Sequence, residues 1–146
     1  MALEVDSDML WADDMGVDSQ GLTAAGQEMA TIAREHPRLQ LFASVAFKYR
    51  PHEPNPVGAA AHARAAGFIP TTSGDATGHA PDPQKIVAMG EGGALAIASG
   101  MTPENVATYA PALTHILVAT GVSRTEHHIA PEKLTALIGK LRQASA

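Results

Sequence analysis

The stretch Ala94-Leu-Ala-Ile-Ala-Ser-Gly-Met-Thr-Pro-Glu-Asn-Val106 decides the fold. Its apolar run, residues 95–98, carries no charge, which is typical of a strand covered on both faces. Ser99-Gly100 ends this strand, and the next residues predict a helix with Thr102 as N-cap and Pro103 at its first position. A glycine bend between a buried strand and a capped helix leaves backbone N–H groups free. The stretch therefore predicts an anion site, with phosphate as the usual occupant.

The rest of the chain repeats this strand–helix unit. Apolar runs predict strands within residues 4–12, 39–47, 68–72, 95–98 and 116–119. A helix is predicted after each strand, and four of the five have a proline in the first turn, at positions 56, 83, 103 and 131. Five such units with short connections indicate an α/β fold with a parallel sheet and right-handed crossovers. Ligand sites of such folds form at the carboxyl ends of the strands.

Size and composition exclude several classes of protein. A chain of 146 residues with 45% hydrophobic content has room for one domain, and we assign residues 1–146 to it. Cysteine is absent, which excludes disulfides and thiolate metal sites. The net charge of −5 comes without a basic stripe, so no nucleic-acid partner is expected. No segment reaches membrane-spanning length and the first residues do not form a signal sequence, so a cytoplasmic protein is expected.

Three segments occur in the order and spacing of the last three strands of a phosphate-binding (β/α)₈ barrel. They are Thr71-Thr-Ser-Gly-Asp-Ala-Thr-Gly78, Ala98-Ser-Gly-Met-Thr-Pro-Glu-Asn-Val106 and Ile116-Leu-Val-Ala-Thr-Gly-Val-Ser123. Over roughly residues 39–141 the chain resembles the BtpA family, barrel proteins associated with photosystem I biogenesis and their bacterial relatives. That family has a similar Ser-Gly-X-Thr-Pro-Glu-Asn turn, as do phosphoribosylanthranilate isomerase and other sugar-phosphate barrels. The resemblance implies a pocket for phosphate or a phosphorylated ligand between the bends 99–100 and 120–121.

The number of units differs from that of a complete barrel. Eight units need about 200 residues or more, whereas this chain offers about five, so it resembles only the C-terminal part. The chain is then a truncated product, an oligomer that completes the sheet, or a five-stranded flavodoxin-like sandwich with helices on both faces. A partial barrel leaves two unpaired sheet edges, which are surfaces for partner pairing.

The two bends supply the candidate phosphate contacts. Small residues let the backbone approach an anion, and hydroxyl groups add hydrogen-bond donors. The alternative is that these are ordinary turn and cap residues. The predicted phosphate contacts are Ser99, Gly100, Thr120, Gly121 and Ser123.

Lys48 and Asp75 are the candidate catalytic residues. Lys48 ends the second strand and would neutralise a phosphate or act as an amine nucleophile. We favour phosphate contact, because nothing nearby in the sequence marks a desolvated pocket; a solvated lysine is the alternative. Asp75, in the glycine-containing loop 73–79, would act as a general base or bind a divalent metal, as would Asp13 or Asp14. Loop and cap roles are the alternative for all three carboxylates.

The loop after the third strand is rich in hydroxyl groups, which suits a sugar or a nucleobase. Thr72, Ser73 and Thr77 are the predicted substrate contacts, and a surface loop without a ligand is the alternative. His127 and His128 are adjacent and lack a well-spaced third ligand, so no metal site is predicted. No cofactor is identified.

These observations leave three functions open. The first is an enzyme that binds phosphate or a phosphorylated small molecule, such as a sugar phosphate or a nucleotide-like compound. The second is a non-catalytic assembly or stability factor that uses the scaffold to bind a protein partner. The third is an inactive fragment of a longer barrel.

Overall fold

The computed structural model describes residues 7–144 and contains nine strands and five α-helices within them. In chain order these are β1 (Met9–Ala12), β2 (Val17–Asp18), β3 (Gly21–Leu22), α1 (Ala24–Glu35), β4 (Gln40–Ser44), α2 (Pro56–Ala65), β5 (Phe68–Thr72), α3 (Pro83–Gly90), β6 (Ala96–Ala98), α4 (Val106–Tyr109), β7 (His115–Leu117), β8 (Ser123–Thr125), β9 (His128–Ile129) and α5 (Pro131–Ala144).

Five strands form one parallel sheet in the order β1-β4-β5-β6-β7. Each strand therefore lies beside the next main-sheet strand along the chain. Right-handed crossovers between such neighbours place all the helices on the same face. A flavodoxin-like sheet instead reverses its strand order to put helices on both faces. The fold is thus a curled half-barrel of alternating strand–helix units, and the flavodoxin-like alternative is wrong.

A contact across the concave face shows how strongly the sheet curls. Phe42 of β4 and His115 of β7 are separated by three strand spacings, which in a flat sheet amount to about 14 Å. Their ring centroids are only 5.1 Å apart, and the rings meet edge to face. On the same face, Trp11 of β1 donates a hydrogen bond of 3.0 Å from Nε1 to the Ser44 hydroxyl of β4. These side chains therefore project into a common interior, as in a barrel.

Helix α2 packs on the convex face through small side chains. Leu41 and Ala43 of β4 belong to a buried cluster that also contains Ala59, Ala60 and Ala63 of α2. All five side chains are completely buried. Alanine lets a helix backbone approach a strand closely, which accounts for a core built with little aromatic content.

The predicted strand–helix order is confirmed, and some bounds are shifted. Residues 4–6 of the first predicted strand lie outside the described residues, and β1 covers residues 9–12. The second strand stops at Ser44 rather than at residue 47 because Ala46 has a φ of +47°, which a strand cannot accommodate. The short hairpins β2–β3 and β8–β9 were not predicted.

The helix after β6 begins at Val106, so the prediction of Pro103 as its first residue is wrong. Residues 103–105 form a turn in which the Thr102 hydroxyl accepts the N–H of Glu104 at 3.3 Å. The Asn105 side chain accepts the N–H of Thr102 at 2.9 Å, which holds this segment outside the helix. A four-residue helix has little dipole. Any anion site here therefore depends on the bends and not on the helix.

The chain lacks a helix suited to a bilayer within residues 7–144, since each one there is too short or too polar to span it.

The open sides of the half-barrel expose parts of its interior face. β1 and β7 each have a partner strand on one side only. On β1, Met9 is 56% exposed and Trp11 is 44% exposed. Unpaired edges and exposed apolar side chains are features by which further strands add to a sheet.

We expect the packing of α3 to be essential to stability. Ile86 is completely buried, whereas its neighbour Val87 is 52% exposed. Ile86→Ala should lower the free energy of unfolding by about 2–5 kcal/mol because it leaves a cavity in the core. Val87→Ala, the matched control, should change it by less than about 0.5 kcal/mol. Urea denaturation followed by circular dichroism measures both, and equal effects would contradict this assignment of the core.

Candidate functional site

The first bend follows β6 and consists of Ser99 and Gly100, with φ values of +104° and +78°. A positive φ is unfavourable for serine, so neighbouring groups must hold this residue. The Ser99 hydroxyl accepts the N–H of Gly78 at 2.9 Å. On the other side, Asn105 Nδ2 donates to the carbonyl of Gly100 at 2.8 Å. The bend is therefore fixed from both sides.

The second bend follows β7 and is a 3₁₀ turn over Thr120–Val122. The hydroxyl of Ser123 donates to the carbonyl of Ala119 at 2.8 Å and closes this turn. A Cβ atom added to Gly121 would lie 1.9 Å from the carbonyl oxygen of Met101. The backbone of the second bend thus touches the residue that follows the first bend, and the two bends lie side by side.

A cavity of about 330 Å³ opens between the bends and the concave face. Backbone N–H groups at this position donate to no acceptor among residues 7–144; they belong to Gly100, Met101, Thr120 and Gly121. All four residues line the cavity, together with Lys48, Thr77 and Trp11. Adjacent free N–H groups form a concave surface suited to an anion.

Lys48 brings a positive charge to this cavity. Its backbone N–H donates to the Ser73 hydroxyl at 2.8 Å, which fixes the start of the side chain. Its ammonium lies 5.7 Å from the centroid of the Phe47 ring, within the range of a cation–π contact. Within residues 7–144 this ammonium forms no ion pair, so its charge is available to a ligand.

A second lysine lies beside the bends and was missed in the sequence. Lys133, in the first turn of α5, shares a groove with Gly100, Thr120 and Gly121. Its ammonium donates to the carbonyl of Ser123 at 3.1 Å. Its position could have been predicted, because Pro131 indicates that the first turn of this helix, which contains Lys133, lies at the carboxyl edge of the sheet.

Two of the three predicted substrate contacts hold neighbouring loops together. Thr72 and Ser73 are completely buried and line neither this cavity nor the one described next. The Thr72 hydroxyl donates to the carbonyl of Ala46 at 3.1 Å, and that of Ser73 to the carbonyl of Gly74 at 2.7 Å. These bonds position the loops after β4 and β5.

The third predicted substrate contact, Thr77, lines the bend cavity and interacts with Tyr49. Its backbone N–H lies 3.3 Å from the Tyr49 hydroxyl, and its own hydroxyl is also 3.3 Å away. Hydrogen bonds from the Thr77 side chain and backbone lower the pKa of Tyr49. Thr77 therefore connects the cavity wall to the loop after β4.

Asp75 lies in a second cavity of about 350 Å³, on the other side of Lys48. Lys48 lines both cavities, whereas Asp75 lines only the second, together with Lys85 of α3. The two predicted catalytic residues thus border one cavity. Lys85 was not identified in the sequence, where it looks like any exposed lysine of a helix.

Metal ligands are not clustered in the described part of the chain. Residues 7–144 contain no group of three or more His, Asp or Glu side chains that could hold an ion. Asp14, another predicted carboxylate, accepts the N–H of Gly16 at 2.8 Å and pairs with Arg50 at 3.1 Å. The hydrogen bond from Gly16 makes the largest contribution to lowering the pKa of Asp14, and Arg50 lowers it further.

Comparison with solved structures identifies barrels as the relatives in fold. The chain superposes on thiamine phosphate pyrophosphorylase from Pyrococcus furiosus with a TM-score of 0.65 and 16% identity, over 99% of this chain and 64% of that one. A structure described as native KDPGal gives a TM-score of 0.66 and 15% identity, over 97% and 62%. The superposition on N-(5'-phosphoribosyl)anthranilate isomerase from Pyrococcus furiosus has a TM-score of 0.61 and 11% identity. It covers 97% of this chain and 66% of that one.

These likenesses establish the fold, and the chain spans less than two thirds of the length of each of these proteins. No family model matches the sequence. A search of curated proteins also gives no significant match. The sheet order and these comparisons together identify a partial (β/α) barrel.

We expect the contact at Gly121 to hold the bends together. Gly121→Ala would place a methyl group against the Met101 carbonyl oxygen and should lower the free energy of unfolding by about 1–3 kcal/mol. Gly139 of α5 has open space around its Cα, so Gly139→Ala should raise it by up to about 1 kcal/mol through helix propensity. Thermal denaturation of both variants tests this, and an unaffected Gly121→Ala would show that the bends are not in contact.

Proposed function

We propose that this protein binds a phosphorylated small molecule, with the phosphate between the bends 99–100 and 120–121, and that it is an enzyme of the BtpA-like group. One observation carries the proposal: two adjacent bends whose N–H groups have no acceptor among residues 7–144 line a cavity that Lys48 also lines. Such groups and a cation are what a phosphate dianion needs when it leaves water.

The proposed phosphate contacts differ in kind. Gly100, Thr120 and Gly121 would donate backbone N–H groups, and Thr120 would add a hydroxyl. The Ser99 hydroxyl already accepts a hydrogen bond from Gly78, which leaves its proton free to be donated to a ligand. A direct contact by Ser123 stays a prediction, since its hydroxyl donates to Ala119.

Lys48 and Asp75 are the proposed catalytic residues. Lys48 stands between the two cavities, so it would contact the phosphate and the part of the ligand next to it. Asp75 would accept or donate a proton in the second cavity. Thr77 would contact the ligand from the bend cavity, whereas Thr72 and Ser73 would act by positioning the loops. The names of two barrels with the same fold, thiamine phosphate pyrophosphorylase and phosphoribosylanthranilate isomerase, denote enzymes of phosphorylated compounds.

Inorganic phosphate should stabilise the folded protein. A ligand that binds only the native state stabilises it by about 2.7 kcal/mol at a hundred times its dissociation constant. We expect the melting temperature to rise with phosphate at constant ionic strength, and to rise much less with chloride. A folded protein whose melting temperature is the same in both salts would overturn the proposal.

The same measurement on two lysine variants locates the site. Lys48→Gln should weaken phosphate binding about tenfold, the usual scale for loss of one charge-assisted hydrogen bond. Lys140→Gln removes an exposed lysine of α5 and should leave binding unchanged. Equal losses in both variants would mean that phosphate responds to net charge and not to this cavity.

A second candidate function follows from the open sides of the half-barrel. β1 and β7 are unpaired on one side, and Met9 and Trp11 are exposed at the β1 edge. We propose that strands of a second copy or of another protein pair with these edges. The protein would then act as an oligomer or as an assembly factor for a protein partner.

The oligomeric state tests this second candidate. We expect light scattering after size exclusion to show a discrete oligomer, which Trp11→Arg should dissociate. Val57 of α2 is equally exposed, at 44%, so Val57→Arg is the matched control and should leave the oligomer intact. A monomeric wild-type protein would remove support for self-association.

A further inference from the structure

Lys85 occupies an unusual position for a lysine in the first turn of a helix. It follows the N-cap Asp82 of α3, yet its side chain reaches the carboxyl ends of two strands. Its Nζ donates to the carbonyl of Ala46, after β4, and to that of Ser73, after β5, both at 3.0 Å. The amine is therefore fixed at the edge of the sheet where the proposed phosphate site also lies.

The two hydrogen bonds leave the remaining tetrahedral position of Nζ without a partner among residues 7–144. A neutral amine has two N–H bonds and one lone pair in a tetrahedral arrangement, whereas an ammonium has three N–H bonds. When the amine is neutral, both N–H bonds can be directed at Ala46 and Ser73, and the lone pair then occupies the remaining tetrahedral position. Burial lowers the pKa of Lys85, and the charge of Asp75 partly offsets this effect. Lys85 is half-buried, and a lowered pKa increases the fraction of the amine in its neutral, nucleophilic form.

The surroundings supply the other groups that an amine nucleophile needs. Lys85 and Asp75 both line the second cavity, and Lys48 lines that cavity and the bend cavity. A ligand whose phosphate is held by the bends would therefore extend past Lys48 toward Lys85. Asp75, close enough to influence Lys85 electrostatically, is placed to transfer protons at the same point.

We propose that Lys85 forms an imine with the carbonyl carbon of a phosphorylated aldehyde or ketone, and this inference rests on the proposed function. The lone pair of Nζ attacks the carbonyl carbon and leaves a negative charge on the carbonyl oxygen. The nitrogen then loses one proton to the Asp75 carboxylate, which passes it to this oxygen to give a carbinolamine. The hydroxyl group takes up one proton from the solvent, water leaves, and the C=N bond of the protonated imine forms.

Overall, the amine, the carbonyl compound and one proton give a protonated imine and one molecule of water. The protonated imine keeps one N–H, which continues to donate to Ala46 or Ser73. Its positive charge draws electrons from the neighbouring carbon of the ligand. The site thereby favours reactions in which a proton or a carbon–carbon bond is lost at that carbon.

Reductive trapping tests the proposal on the wild-type chain. The protein is mixed with D-glyceraldehyde 3-phosphate and sodium cyanoborohydride at neutral pH, and the lysines are mapped by peptide mass spectrometry. Reduction adds the mass of the aldehyde minus one oxygen atom to the modified lysine. We expect Lys85 to be modified about tenfold faster than the exposed Lys140, since binding of the phosphate raises the local concentration of the carbonyl. Equal rates at the two lysines would overturn the proposal.

Controls separate this inference from the proposed function. Unphosphorylated D-glyceraldehyde should modify Lys85 more slowly than the phosphorylated aldehyde, and inorganic phosphate should compete with the latter. If both aldehydes react equally fast and selectively at Lys85, the amine assignment holds and the phosphate site fails. If phosphate raises the melting temperature but Lys85 reacts no faster than Lys140, the phosphate site holds and the imine is excluded. Lys85→Arg should abolish the selective adduct, and Lys140→Arg should not.

Discussion

The contact between Gly121 and the carbonyl oxygen of Met101 brings the two bends of this protein together. Any side chain at Gly121 would separate them, because the added Cβ atom would overlap that oxygen. Asn105 restrains the first bend independently, through hydrogen bonds to Thr102 and Gly100. Packing and side-chain hydrogen bonds thus bring four residues with unpaired N–H groups to one cavity, without a helix dipole of useful size.

The curl of the sheet gives this edge its concave shape. A flat sheet with the same strand order would spread β1 and β7 far apart, and Trp11 could not line a cavity with residues that follow β6 and β7. The ring contact between Phe42 and His115 shows that side chains fill the interior at the level of β4 to β7. The sheet curls without closing, so β1 and β7 each have one side without a partner strand.

Much of the fold was predictable because its signals are local. A proline with a preceding Asp or Asn marks α2 and α3, and the apolar run 68–72 marks β5 at its observed bounds. The wrong start of the helix after β6 came from Asn105, whose side chain bonds to Thr102 and Gly100, a competition that helix propensity does not include. The strand order, which distinguishes a barrel from a sandwich, depends on non-local pairing.

The part of the candidate site that is formed by backbone groups could be predicted from the sequence. Ser99-Gly100 and Thr120-Gly121 are visible as bends, and the alternation of strands and helices places them at one edge. Lys85 could not be found in this way, because its environment comes from Ala46 and Ser73, which are distant in the sequence and contribute only carbonyl groups. Every residue has a backbone carbonyl group, so the side-chain pattern of the sequence does not indicate which lysine is bound by carbonyl groups. Desolvated amines of this kind are recognised from packing alone, and their chemistry depends on how many N–H bonds the surrounding backbone accepts.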